Sequence, residues 1–176
     1  MDRSYNIVMS NQNIPEPWLR GSVDGIMPQL QPAAHAFIAA GEEAETICNA
    51  ITPEELWLRP TGAASISYHL RHLAGATDRL LTYARGENLS DAQIAAMKQE
   101  KQEAETTPSE LLNGVKNALN AALQQLRSTP PDQLYETREV GRAKLPSTVI
   151  GLLFHAAEHA QRHAGQIATT FRFIRK

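Results

Sequence analysis

The stretch HAAEHAQRHAGQI, residues 155–167, carries three of the chain's six histidines at every fourth position. An α-helix turns about 100° per residue, so positions four apart lie about 40° apart on the same face. Around the histidines, Val149, Leu153, Ala156, Ala160, Ala164 and Ile167 recur at helical intervals. That period predicts one long helix over about 148–172, with Ser147 as its cap. Measured from the centre of the apolar stripe, His163 lies about 50° away, His159 about 90° and His155 about 130°. His163 and His159 therefore flank the buried side, and His155 points outward.

The rest of the chain gives helices of the same kind. Ala34, Phe37, Ile38, Ala44, Ile47 and Ile51 predict a first helix beginning at Pro28 or Pro32. TPEE at 52–55 has the grammar of a helix start, with Thr52 as cap, Pro53 at the first position and Glu55 closing a capping box; Pro60 and Gly62 cut it short. Ile66, Leu70, Leu73, Thr77, Leu80 and Ala84 mark a helix over about 65–85, with Gly86 suited to the stop beyond it. The charged stretch 87–106 has room for one short exposed helix. TPSE at 107–110 repeats the capping pattern and opens a helix carried by Leu111, Leu112, Val115, Leu119, Ala122, Leu123 and Leu126. Residues 132–146 read as a polar connector, a loop or a short extended piece. Four long helices without a strand pattern predict an all-α four-helix bundle over 22–176, preceded by an irregular arm over 1–21 rich in Asn, Pro and Gly.

At 176 residues the chain is of single-domain size. A formal net charge of −2 offers no basic surface to a nucleic acid, and no apolar run approaches the roughly 20 residues of a membrane span. The opening residues contain an early Arg3 but no apolar leader core, and Cys48 stands alone. A cytoplasmic location and a reducing compartment are expected. Cys48 sits among apolar residues and reads as an inert buried thiol.

Two histidines at i and i+4 form a two-ligand unit on a helix, because both imidazoles reach one ion at about 2.0–2.1 Å. A third ligand must come from a facing helix, as bundle metal sites are built. SYHLRHLAGATDRLL at 67–81 offers His69 and His72. Periodicity alone favours His69, which lies nearer that helix's apolar stripe. His35, alone on the first helix, reads as a packing or surface residue.

HLRHLAGATDRLL and HAAEHAQRHAGQI resemble the two ligand helices of the DinB / YfiT-like family of four-helix-bundle metalloproteins, and the resemblance covers most of 22–174. It implies a divalent metal, zinc, nickel or iron, on His72, His159 and His163, with His69 as the alternative to His72. It leaves His155 behind a ligand or on the pocket wall, and Gln166 or Glu158 as residues that orient ligands or pack. Metal-dependent hydrolysis of a small-molecule substrate is one implied activity, and transfer of a low-molecular-weight thiol is the other. Arg20, Arg59, Arg142 and Arg162 are the candidates to meet an anionic thiol. The resemblance also implies a homodimer. A non-catalytic metal-binding bundle that recruits a partner is the reading from a different class. A fourth protein ligand would mark that second case, and an open position the first.

Overall fold

The structure is a computed structural model and describes residues 14–176. The first part of the expected arm, including Asn6, Asn11 and Asn13, lies outside the described residues. Its remainder forms a single 3-10 turn, Pro17–Leu19, and Arg20 there makes a bidentate ion pair with Glu42.

Five α-helices follow: α1 Gln31–Cys48, α2 Ile66–Ala84, α3 Asp91–Gln99, α4 Pro108–Ser128 and α5 Val149–Ile174. The sequence signals account for most of their ends. Thr107 and Glu110 close a full capping box on α4: Glu110 N donates to Thr107 Oγ1 at 3.2 Å, and Thr107 N donates to Glu110 Oε2 at 2.8 Å. Gly86 adopts φ 78°, the left-handed conformation that ends α2. Two local expectations need correction. The cap of α5 is Thr148, the last residue of the strand before it, which accepts from Gly151 N at 3.1 Å; Ser147 lies one residue further back, opposite Arg138. The TPEE segment forms only a 3-10 turn, Glu54–Trp57, without a side-chain cap; Thr52 N still donates to Glu55 Oε2 at 2.9 Å. The connector before α5 takes its extended alternative, an antiparallel hairpin of β1 Thr137–Val140 and β2 Leu145–Thr148.

The packed helix pairs are α1–α4, α4–α2, α2–α5 and α5–α1, which sets α1 diagonal to α2 and α4 diagonal to α5. Cross-helix contacts give the directions. His69 meets His163 and His72 meets His159, so α2 and α5 are antiparallel. Lys116 pairs with Glu45 while Leu119 packs on Gly41, so α1 and α4 are antiparallel too. Gln161 donates to Ala36 O and Arg175 to Ala50 O, which makes α1 and α5 parallel. Likewise Leu70 and Leu111 share a cleft while Gln125 donates to Leu81 O, which makes α2 and α4 parallel. Parallel neighbours cannot be joined by a short turn. The chain between α2 and α4 must therefore climb back along the bundle, and α3 lies on that crossover.

The core is aliphatic: Phe37, Leu56, Leu70, Leu73, Leu153 and Ile167 are each wholly buried or nearly so. All six residues of the stripe predicted for α5 are buried. No helix of the described residues is long and apolar enough to cross a membrane.

Candidate metal centre

Histidines from α2 and α5 converge between those two helices. His72, His159 and His163 each present a ring nitrogen, and the three nitrogens lie within 4.8 Å of one another. His72 Nε2 stands 3.1 Å from His159 Nε2. Two imidazole lone pairs at that distance repel, so a proton or a cation must lie between them. A tetrahedral ion with bonds of about 2.0–2.1 Å holds its nitrogens about 3.4 Å apart, close to the observed spacing. The donor set thus fits a divalent transition metal, for which imidazole is a preferred ligand.

Each ring is held differently. His72 Nδ1 lies 2.7 Å from Glu100 Oε2, and Tyr68 stacks over the His72 ring with centroids 5.4 Å apart. His163 Nδ1 lies 2.9 Å from His69 Nδ1. His159 Nδ1 is buried without a hydrogen-bond partner among the described residues, so packing alone sets that ring's orientation. Glu100 is in turn bridged to Arg79, whose NH1 donates to its Oε1 at 2.6 Å. Burial by itself raises the Glu100 carboxyl, but the hydrogen bonds from His72 and Arg79 outweigh it and hold the group below the usual carboxylate range. Glu100 is therefore the anionic acceptor, and His72 Nδ1 the donor.

Burial, with the neighbouring histidines second, pushes His69 and His159 down to about 4 and His163 down to about 3. These imidazoles are neutral at pH 7, the state in which nitrogen binds a metal. A stability consequence follows with a definite sign. Between the ordinary histidine value of 6.5 and these lowered values, the unfolded chain binds protons that the folded chain refuses. The contribution is complete above about pH 6.5 and drains away as pH falls towards 4. Melts in chelator are expected to show a lower Tm at pH 5 than at pH 7.5, and equal values would contradict the neutral, buried cluster.

The other sequence candidates fall outside the cluster. His155 is exposed, with its Nδ1 3.4 Å from Glu158. Glu158 is held by Arg162 at 2.5 and 2.6 Å rather than by a ligand imidazole, and Gln166 is exposed. His35 Nε2 meets Gly21 O at 2.9 Å. Of the four arginines, Arg162 acts electrostatically on His159 and His163. Arg20 is committed to Glu42, while Arg59 and Arg142 are exposed. Cys48 is buried and pushed up to about 11, chiefly by burial and then by Glu45, so it stays a thiol. Sequence reasoning missed Glu100 and Arg79. The available signal was Arg79 on the inward side of α2, since a buried arginine needs a carboxylate.

A four-helix bundle with histidines converging from two adjacent helices defines the class of protein. The chain belongs to the DinB superfamily, whose family model matches residues 36–167. Solved structures share the fold at low identity. A conserved protein from Enterococcus faecalis aligns with TM-score 0.65 at 18% identity, covering 84% of this chain and 98% of its own. A DinB-like protein from Bacillus cereus aligns with TM-score 0.62 at 15% identity, covering 83% and 93%. YfiT from Bacillus subtilis, described as a probable metal-dependent hydrolase with an unusual four-helix bundle topology, aligns with TM-score 0.62 at 15% identity, covering 90% and 97%. No curated protein matches the chain.

Proposed function

We propose that the protein is a metal-dependent hydrolase acting on a small molecule, with a divalent ion held by His72, His159 and His163. The observation that carries this reading is the convergence of three imidazoles from two helices, their ring nitrogens within 4.8 Å of one another. A divalent ion on three neutral ligands keeps its full positive charge and lowers the pKa of a water or thiol bound to it. Among the described residues the cluster contains three ligating side chains and no fourth, which supports an open, catalytic position over a closed structural one. The chain's own residues prepare that position. Glu100 holds His72, His69 backs His163, and the Tyr68 ring walls the site beside His72. Glu158 and Arg162, each directly preceding one of the α5 ligand histidines, pair with one another beside the cluster.

Transfer of a small thiol is the second chemistry compatible with the same centre; of the four arginines Arg162 is the one that acts electrostatically on His159 and His163, and it would have to leave Glu158 to meet an anionic thiol. Elemental analysis of the purified protein is expected to find about one equivalent of zinc, nickel or iron. Ester hydrolysis should disappear on chelation and return with the same metal. Thiol transfer returning in place of hydrolysis would select the second chemistry, and a protein that binds none of the three metals would overturn both.

A further inference from the structure

We propose that Glu100 is a positioning residue: a buried carboxylate on the crossover that fixes the tautomer of His72 and couples metal binding to docking of the crossover. The proposal rests on the three-histidine reading above.

The crossover between α2 and α4 lacks an apolar anchor. Helix α3 contributes no buried residue, and Glu100, just past its end, is the single buried residue between 85 and 110. The crossover also makes polar contacts with α2 and with the 3-10 turn Glu54–Trp57. Gln93 donates to Asp78 Oδ2 at 2.7 Å and to Thr82 Oγ1 at 2.8 Å, Arg71 donates to Gln102 O at 2.7 Å, and Trp57 donates to Ala104 O at 3.2 Å. Burying a carboxylate is costly unless both oxygens are paired. Here both are, since Oε2 accepts from His72 Nδ1 and Oε1 accepts from Arg79. The fold makes room for it. A Cβ on Gly75 would come within 2.5 Å of Glu100 Oε1 and 2.8 Å of Arg79 NH1.

The chemistry follows from the pairing. A proton held on His72 Nδ1 leaves the lone pair on Nε2, the nitrogen that faces His159. Carboxylate partners of this kind orient metal-binding histidines and raise their basicity. Because the same carboxylate docks the crossover, linkage works in both directions: metal on the histidines favours the docked crossover, and docking favours metal.

The test uses the full chain with zinc as the probe. Glu100→Ala is expected to weaken zinc about 10–100-fold in chelator competition. In the metal-free variant, long-range 15N–1H spectra should show His72 losing its preference for the Nδ1–H form. Hydrogen exchange over 91–104, slowed by zinc in the parent protein, should become insensitive to zinc. Gly75→Ala is the second variant. Helix propensity predicts that it stabilises α2, yet it displaces the far ends of Glu100 and Arg79 and should weaken zinc as well. Gln93→Ala removes a crossover contact remote from His72, and should speed exchange over 91–104 while leaving the His72 tautomer unchanged. Parent-like zinc affinity and His72 tautomer in both Glu100→Ala and Gly75→Ala would overturn the proposal. If the parent protein binds none of zinc, nickel and iron, the three-histidine reading fails. The metal-free His72 tautomer and crossover exchange in Glu100→Ala then decide the role of Glu100 separately.

Discussion

Replacing His159 with alanine is expected to remove the bound metal, and His72→Ala is expected to do the same. Structural zinc sites release about 10–16 kcal/mol over four ligands, so one ligand is worth roughly 3 kcal/mol and its loss roughly 10²–10³-fold in affinity. His155→Ala should leave metal content unchanged, since that ring lies 5.6 Å from His159 between centroids and its Nδ1 faces Glu158. His69→Ala separates the two α2 histidines. Its Nδ1 lies 2.9 Å from His163 Nδ1 and supports that ligand from behind, so the variant should bind metal about tenfold more weakly without losing it. Elemental analysis and chelator competition read all four variants. Metal lost with His69→Ala and kept with His72→Ala would reverse the assignment on α2.

The second large effect concerns the scaffold. Phe37 on α1 is wholly buried, where α1 faces α4 and α5. Phe→Ala in a core costs about 3–5 kcal/mol, a large share of the roughly 5–15 kcal/mol that holds a domain folded. A cleft of about 160 Å³, lined by Phe37, Gly41, Leu119 and Leu123, adjoins the position and lets neighbours collapse inward. The expected loss is therefore near the lower limit, about 3 kcal/mol, read as a lower urea midpoint at unchanged m. A loss below about 1 kcal/mol would show that Phe37 is not part of the packed core.

The two sides of the histidine cluster differ in how legible they were. On α5 the wheel alone separated His159 and His163 from His155, because four-residue spacing and an apolar stripe are local facts. On α2 the wheel favoured His69 and the family resemblance His72. In the structure both meet the α5 histidines. His69 is buried at the back of His163, and His72, half-buried, faces His159. An apolar stripe reports burial, and His69, the more buried of the two, spends its Nδ1 on His163 while the less buried His72 joins the cluster of three ring nitrogens. Glu100 was hidden for a different reason. It stands in a charged run with no apolar period, and only the path of the crossover brings it to His72 and Arg79.

From the residues alone came the all-α class, the four long helices, most of their caps and the shared face of His159 and His163. Each of these depends on interactions within about four residues along the chain, which spacing and capping chemistry express directly. Only the tertiary structure decided that α1 lies diagonal to α2, that α2 runs parallel to α4, and that α3 climbs the outside of α2. Those choices rest on which apolar stripes pack together, and the stripes are nearly interchangeable aliphatic surfaces whose sequence does not name a partner. The depth at which α2 meets α5, and with it the separate places of His69, His72 and Glu100, follows from that packing.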